Sequence, residues 1–323
     1  MSSSTLQALV YNLRHEAAGI ASVELRPVAP GAAFPAVEAG AHIDLHLGNG
    51  LVRSYSLTNP GERHRCVVAV LNDRNSRGGS RYVHEQLRVG QVIDIGAPRN
   101  HFRLHEDAPR SVLLAGGIGV TPVYAMLQRL AELQRPAQLI YCARSRTEAA
   151  YVNEIEALVQ AHPMLSLRCH FDDEHGGPPN LVQLLDGHAK DTHFYACGPA
   201  PMLDAYERAC AQLGQANVHL ERFAAGTPAA VPTASQGYTV ELRKSGKTVQ
   251  VAPGVVLLDA LLDAGVTLDH SCREGVCGAC ETKILSGDVE HHDLILTAQE
   301  RAANKSMMVC VSRCRSGSLV LDA

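Results

Sequence analysis

Residues 272–280 read CREGVCGAC and place Cys272, Cys277 and Cys280 in a C-x4-C-x2-C pattern, which Cys310 follows after 29 intervening residues. With this spacing, four thiolates hold two irons and their bridging sulfides in a [2Fe–2S] cluster. The pattern therefore predicts an iron–sulfur electron-transfer module near the end of the printed sequence.

Two other interpretations of these cysteines stay open. Zinc also binds four cysteines, although its sites usually come from paired short knuckles. Unrelated buried thiols are the other alternative, and three cysteines within nine residues count against it. Cys314 is a second candidate for the fourth thiolate. We favour Cys310, because the pattern MMVCVSR is typical of a strand that returns one thiolate to the loop.

Length, charge and cysteine content limit the class of protein. The chain has 323 residues, and a single core rarely grows beyond about 250–300 residues, so we expect two or three domains. The net charge of −4 does not favour nucleic-acid binding through the overall field. Neither a secretory signal nor an apolar run of about 18–20 residues is evident. We therefore expect a cytoplasmic protein that is not bound to a membrane, in which clustered thiols stay reduced and serve metal or redox chemistry.

Three stretches of the chain differ in composition and in the pattern of their apolar residues. Short, partly alternating apolar runs up to about residue 104 predict an antiparallel β-barrel. From about residue 108, continuous apolar strands alternate with amphipathic helices, which indicates an α/β domain with a parallel sheet. A later segment is poor in charge and rich in Ala, Pro, Thr and Ser, as linkers are. The predicted fold is multidomain, with a β-barrel at 1–106, an α/β domain at 107–225, a linker at 226–236 and an α+β domain at 237–323.

The middle domain contains a glycine-rich turn between its first strand and first helix. In LLAGGIGVTP, Gly116, Gly117 and Gly119 would let the pyrophosphate of a dinucleotide approach the backbone and the helix N-terminus. The match to G-x-G-x-x-G is incomplete, because Pro122 replaces the third glycine. Taken alone, such a turn is equally compatible with a purely structural role.

Two further strand ends in this domain carry polar or reactive residues. The strand AQLIYCAR runs into Arg144, Ser145 and Arg146 instead of a ribose-binding acid. Loops at the carboxyl ends of parallel strands are where ligands bind, which strengthens the interpretation as a nucleotide site. The motif YACGP places Cys197, Gly198 and Pro199 at the same edge of the sheet. A buried core thiol remains the alternative interpretation of Cys197.

The first domain also has two candidate ligand motifs. In RSYSLTNP, Tyr55 could stack on a flat heteroaromatic ring while Ser56 hydrogen-bonds its polar edge, beside the charged Arg53. The RGGS sequence at 77–80, followed by a predicted helix, could hold a phosphate through backbone N–H groups. Each signal alone also fits a solvated strand edge or a surface turn.

Together these motifs resemble the phthalate dioxygenase reductase family of iron–sulfur flavoproteins, within the ferredoxin–NADP reductase superfamily. RSYSL matches its flavin motif, GGIGVTP its nicotinamide-site turn, YACGP its Cys-Gly-Pro motif and CREGVCGAC with Cys310 its cluster motif. The resemblance covers essentially the whole chain, and the order of flavin, nucleotide and ferredoxin modules is characteristic. It implies a plant-type, β-grasp-like ferredoxin domain after the linker.

The resemblance implies specific residues for each cofactor. Thr121, Cys197, Glu221 and Phe223 would act at the reacting rings, and the doubled glycine of RGGS favours FMN over FAD. The implied flavin contacts are Arg53, Ser54, Tyr55, Ser56, Val70, Leu71, Asn72, Gly78, Gly79, Ser80, Thr121 and Phe223. The implied nicotinamide-nucleotide contacts are Gly116, Gly117, Gly119, Pro122, Arg144, Ser145, Cys197, Gly198 and Pro199. The implied cluster ligands are Cys272, Cys277, Cys280 and Cys310.

The function implied by the resemblance is electron transfer. Hydride would pass from NADH to FMN, and single electrons would then pass through the cluster to a Rieske-type oxygenase or O-demethylase. A cytochrome P450 or diiron oxygenase as partner, and a redox sensor without turnover, stay open as alternatives. Arg144 and Arg146 leave NADPH open as the donor. No dimerisation element is evident, so we expect a monomer.

Overall fold

The computed structural model describes residues 5–74, 76–224 and 236–323. The chain divides into two compact units, one ending at Phe223 and one following it. The predicted linker at 226–236 lies outside the described residues, apart from Gln236, and the predicted domain boundaries stay predictions. Within the described ranges, no helix is both long enough and apolar enough to cross a bilayer.

The first unit begins with a six-stranded antiparallel sheet. Its elements are β1 (Leu6–Ala17), β2 (Ile20–Pro27), β3 (His42–His46), β4 (Val52–Ser56), β5 (Cys66–Leu71), α1 (Gly79–Glu85) and β6 (Val92–Ile95). The strand order is β4-β3-β6-β1-β2-β5. The two edge strands meet through a bridge between Leu57 and Val68, so the sheet closes around an apolar core, as predicted for a barrel.

The same unit continues with a five-stranded parallel sheet. Its elements are β7 (Ser111–Gly116), a 3-10 turn (Gly117–Gly119), α2 (Val120–Glu132), β8 (Ala137–Ala143), a second 3-10 turn (Arg146–Glu148), α3 (Val152–Ala161), β9 (Leu165–Phe171), α4 (Asp172–His175), α5 (Leu181–Leu185), β10 (His193–Cys197), α6 (Ala200–Gln212) and β11 (Val218–Glu221). The order β11-β10-β7-β8-β9 is all parallel. Because the strands run in one direction, all their carboxyl ends meet at one edge of the sheet.

Hydrogen bonds connect the barrel to the parallel sheet within this unit. Gln128 on α2 donates its amide N–H to the Thr58 carbonyl at 2.7 Å. Residues 96–110, called the connector below, join the two sheets. The connector amide of His105 donates to the hydroxyl of the fully buried Tyr195 at 2.9 Å, and the Phe102 ring meets the edge of the Tyr195 ring.

The second unit is a smaller α+β structure. Its elements are β12 (Tyr238–Leu242), β13 (Lys247–Val251), α7 (Leu257–Asp263), β14 (Glu281–Ser286), β15 (Val289–Glu290), α8 (Ala298–Ala303), β16 (Ser306–Met308), β17 (Arg313–Cys314) and β18 (Ser318–Leu321). The main sheet has the order β13-β12-β18-β14-β16, and β15 pairs with β17. The predicted strand around MMVCVSR is shorter than expected. It ends at Met308, whose carbonyl accepts turn hydrogen bonds from Val311 and Ser312.

Removing the Tyr195 hydroxyl tests how strongly the connector is held. In Tyr195→Phe the buried ring stays, but the His105 N–H loses its acceptor. This hydrogen bond is part-buried and a typical one contributes about 0.5–1.5 kcal/mol, so we expect the free energy of unfolding of the first unit to fall by about 1 kcal/mol. Calorimetry should show this loss, and Tyr11→Phe, at a ring that is 47% exposed, should leave stability unchanged. Equal stabilities of the two variants would contradict the assignment.

Candidate functional site

Four cysteine side chains converge in the second unit. The Cys272 sulfur accepts a hydrogen bond from the Glu274 N–H at 3.3 Å, and the Cys277 sulfur accepts one from the Cys272 N–H at 3.5 Å. The Cys310 side chain contacts those of both Cys272 and Cys280. Hydrogen bonds from Cys277 and Cys310 lower the pKa of Cys272. Four adjacent thiols, three of them buried, fit the donor set of a [2Fe–2S] cluster.

Cys314 lies apart from this group. It ends β17, and its sulfur is 3.6 Å from the Ser316 hydroxyl oxygen. The difference arises from the turn after β16, because this turn directs Cys310 to the loop while Cys314 enters the next strand. The geometry therefore favours Cys310 as the fourth thiolate.

A buried acid supports the loop at Gly275. Gly275 has a φ of +71°, and a Cβ there would lie 3.0 Å from the Cα of Asp293. Asp293 is 1% exposed and accepts N–H hydrogen bonds from Ile295 and Leu296. Sequence reasoning missed this residue. The sequence feature that could have indicated Asp293 is an acidic residue directly before the apolar run in HHDLILT.

The RSYS strand is positioned by a buried ion pair in the barrel. Ser54 donates its hydroxyl to Asp44 at 2.6 Å, and the other Asp44 oxygen lies 2.7 Å from an Arg99 guanidinium nitrogen. Side chains alternate along a strand, so Tyr55 lies on the opposite face from Ser54. Burial raises the pKa of Tyr55 to about 12, which keeps its ring neutral.

Arg53 lies across the first turn of α1. One of its guanidinium nitrogens donates to the Arg77 carbonyl at 3.4 Å. A Cβ on Gly79 would lie 2.6 Å from the Arg53 Cγ, so the second glycine of RGGS leaves room for this side chain. Ser80 accepts a hydrogen bond from the Asp73 N–H. The structure thus brings an arginine to the loop predicted to hold a phosphate.

Glu221 and Cys197 end neighbouring strands and face the barrel. They are register partners on β11 and β10. Burial raises the pKa of Glu221 to about 8, and burial together with Glu221 raises the pKa of Cys197. One Glu221 oxygen lies 4.0 Å from the His42 Nδ1, a neighbour that sequence reasoning missed. Both groups are therefore held in their neutral forms near neutral pH.

Two buried oxygens at this site fit the polar edge of a flavin. Ser56 lies close enough to Glu221 to oppose the rise in its pKa, although the side chains do not meet hydrogen-bond geometry. Among the described residues, neither the Ser56 Oγ nor the Glu221 Oε2 has a hydrogen-bond partner. Buried polar atoms without partners are costly, so a bound ring with donors and acceptors would satisfy them.

The glycines of the nucleotide turn have two different uses. A Cβ on Gly119 would lie 2.2 Å from the Cys197 carbonyl oxygen, and one on Gly198 would lie 3.0 Å from the Gly116 Cα. These glycines allow two loops to pack on each other. Gly117 instead has no atom within 4 Å of its Cβ position. It is therefore the glycine that leaves the backbone open to a ligand.

Both arginines after β8 are paired with acids. The Arg144 Nε lies 2.8 Å from a Glu148 oxygen, and an Arg146 guanidinium nitrogen lies 2.7 Å from a Glu156 oxygen. These pairs are exposed, so each contributes little to stability. They nevertheless place a carboxylate beside each of the two arginines that follow β8.

The remaining predicted residues lie around the same sheet edge. Thr121 is buried and donates its hydroxyl to the Ile118 carbonyl at 3.1 Å. Phe223 follows β11 and is 41% exposed. The end of β5 contacts the turn at Gly117–Gly119, which brings the barrel to the nucleotide domain. Among the other predicted residues, Val70 and Leu71 lie on β5 and Asn72 follows it, Pro122 lies in the first turn of α2, Ser145 follows β8, and Pro199 precedes α6.

Family models match two parts of the chain. Residues 240–315 match the 2Fe-2S iron-sulfur cluster binding domain. Residues 113–208 match the oxidoreductase NAD-binding domain. These matches confirm that the chain contains the predicted iron–sulfur and nicotinamide-nucleotide modules, and the predicted domain bounds stay predictions.

Relatives and solved structures match nearly the whole chain. The chain is 46% identical to tetrachlorobenzoquinone reductase of Sphingobium chlorophenolicum, covering 99% of this chain and 98% of that protein. It is 43% identical to the toluene-4-sulfonate monooxygenase system reductase subunit of Comamonas testosteroni, covering 99% of each. The structure of phthalate dioxygenase reductase matches with 33% identity and a TM-score of 0.70, covering 99% and 98%. The chain belongs to the phthalate dioxygenase reductase family.

A second solved structure places the same modules in a longer protein. A self-sufficient cytochrome P450 monooxygenase of type IV matches this reductase with 38% identity and a TM-score of 0.89. The match covers 99% of this chain but only 41% of that one. Family membership confirms the predicted iron–sulfur flavoprotein oxidoreductase.

The contact at Gly275 predicts how this reductase retains its cluster. Gly275→Ala would strain a positive φ and also drive a methyl group against Val311 and Asp293. Gly317→Ala would strain a similar φ of +83°, but no atom lies within 4 Å of the Cβ position at residue 317. Overpacking costs about 1–3 kcal/mol, so we expect Gly275→Ala to hold clearly less iron and acid-labile sulfide per chain than Gly317→Ala. Equal iron contents would rule out the contact.

Proposed function

We propose that this chain is the reductase component of an aromatic-ring oxygenase or O-demethylase system with a Rieske-type terminal oxygenase. The observation that carries the proposal is the combination, on one chain, of the buried Ser56–Glu221–Cys197 site and the four-cysteine loop. When bound, the flavin accepts hydride from NADH and the cluster passes single electrons onward. The modules would occupy residues 1–106, 107–225 and 237–323.

The proposed flavin is FMN. Arg53 crosses the first turn of α1 beside Gly79, where a terminal phosphate would gain a guanidinium and backbone N–H groups. Gly78 and Ser80 would complete this phosphate site, and Tyr55 would pack on the ring. These contacts support a mononucleotide whose phosphate end lies at α1.

The protein's own part in hydride transfer is orientation and electrostatics. Neutral Glu221 and the Ser56 hydroxyl would bind the polar edge of the flavin without adding charge, because a buried carboxylate would be costly. Cys197 would lie beside the nicotinamide, held by the loop packed on Gly119. Thr121 would border the ring, and Phe223 would cover it until the nicotinamide displaces the phenyl group.

The cellular setting follows from the cysteines. All ten lie within the described residues, and none of them forms a disulfide bond. Ten cysteines without a disulfide suit a reducing compartment, so we propose a cytoplasmic location. A monomeric state remains a prediction.

A cytochrome P450 is the second candidate for the electron acceptor. The likeness to a P450 chain that contains the same modules favours this alternative. Both acceptors would receive electrons from the same reductase. Titration of the reduced protein with a Rieske oxygenase and, separately, with a P450 decides between them. Transfer to the P450 alone would reject the Rieske assignment, and absence of flavin bleaching by NADH would favour a sensor.

Cys310→Ser tests the route of the electrons. We expect this variant to lose the cluster and at least about 90% of electron transfer to the oxygenase, because three thiolates cannot complete the four-ligand site. Reduction of ferricyanide by NADH, which needs only the flavin, should continue. Cys314→Ser is the matched control and should retain both activities. Full oxygenase coupling in Cys310→Ser would contradict the proposal.

Glu148→Gln tests the choice of nicotinamide nucleotide. We propose NADH as the donor, because Glu148 and Glu156 neutralise the two arginines that could bind a 2′-phosphate. Freeing Arg144 should raise kcat/KM for NADPH on the order of tenfold, with little change for NADH. The control Glu132→Gln leaves both arginine pairs intact and should not alter the NADPH/NADH ratio. An unchanged ratio in Glu148→Gln would place the 2′-phosphate elsewhere.

A further inference from the structure

Three histidines converge on one face of the first unit, whereas the cysteine loop belongs to the second unit. They are His105 in the connector, His193 at the start of β10 and His219 on β11. One ligand nitrogen from each can be chosen so that all three lie within 4.8 Å of one another. The ring centroids form a nearly equilateral triangle with sides of 4.8, 4.9 and 5.2 Å.

The fold places these rings together through strand register and a backbone hydrogen bond. Tyr195 is the register partner of His219, and His193 precedes Tyr195 by two residues, so these three side chains share one face of the sheet. The Tyr195 ring stacks on His219 with a centroid separation of 4.6 Å. The same tyrosine accepts the N–H of His105. The third ring is therefore held beside the other two by the main chain of the connector.

We propose that His105, His193 and His219 form a binding site for a divalent transition-metal ion. The His193 Nδ1 and His219 Nε2 are 3.1 Å apart. Two nitrogens bound tetrahedrally at about 2.0–2.1 Å from zinc would be about 3.3 Å apart, so this pair is already close to the required separation. A small movement of the exposed His105 ring would bring the third nitrogen into place.

The donor set determines which ions the site takes. Three neutral imidazoles suit Zn²⁺, Cu²⁺ and Ni²⁺, whereas Mg²⁺ and Ca²⁺ prefer oxygen ligands. A fourth position remains for water, because His105 lies at the protein surface. This site differs from the proposed cluster site in its ligands and in the unit that contains it.

Metal binding would link the connector, through His105, to strands β10 and β11 of the parallel sheet. His105 precedes β7, whereas His193 and His219 belong to the two strands that carry Cys197 and Glu221 at their other ends. An ion that binds only the folded unit stabilises it by mass action. We therefore expect Zn²⁺ to raise the melting temperature of the first unit.

The test is a calorimetric titration of the full-length protein, loaded with flavin and cluster, with ZnCl2. We expect one Zn²⁺ per chain and a rise in melting temperature. His105→Gln, His193→Gln and His219→Gln should each weaken binding by at least about tenfold. The matched control is His64→Gln, at an exposed histidine elsewhere on the same unit. Wild-type affinity in all three variants, or no binding by the wild type, would overturn the proposal.

A second measurement separates loss of a ligand from loss of folding and from binding to cysteines. His105→Gln changes an exposed ring, so flavin and cluster absorbance should stay as in the wild type. Cu²⁺ added to the oxidised wild type should give an electron paramagnetic resonance spectrum with splitting from nitrogen. A spectrum showing only sulfur ligation, or one identical in His105→Gln, would reject the three-histidine site.

Discussion

The backbone contact between Gly119 and Cys197 is the constraint on which the site in the first unit depends. A Cβ at Gly119 would lie 2.2 Å from the Cys197 carbonyl oxygen, so only glycine lets the turn before α2 approach the end of β10 this closely. The contact fixes the start of α2 against the end of β10. Because Glu221 is the register partner of Cys197, the same contact also fixes the position of Glu221 at the carboxyl end of β11.

The burial of Glu221 is the main energetic cost at this site. The Glu221 side chain is only 12% exposed, so a carboxylate there would lose most of its hydration, and burial raises its pKa to about 8. A neutral acid can donate a hydrogen bond as well as accept one, which a carboxylate cannot. The uncompensated Ser56 and Glu221 oxygens are thus explained as a site that is completed by its ligand.

Local sequence patterns were sufficient for the modules and for most elements. The continuous apolar run SVLLAG predicts the central strand β7 because both faces are buried, and the C-x4-C-x2-C spacing predicts the thiol loop because four ligands need that arrangement. The sequence did not show that Gly119 packs on Cys197 or that Asp293 lies against Gly275. Each of these is a contact between segments distant along the chain, and no local period encodes such contacts.

Strands β10 and β11 carry two histidines of the proposed metal site near their amino ends and Cys197 and Glu221 at their carboxyl ends. Parallel strands keep register, so His193 and His219 near the amino ends are fixed relative to Cys197 and Glu221 at the carboxyl ends. The strand length sets this separation, and side-chain alternation directs all four residues to the face that meets the barrel and the connector. A ligand that immobilises the amino ends would therefore act on the same two strands that position the residues proposed for hydride transfer. The parallel register provides a direct physical connection between the proposed histidine site and the proposed flavin site.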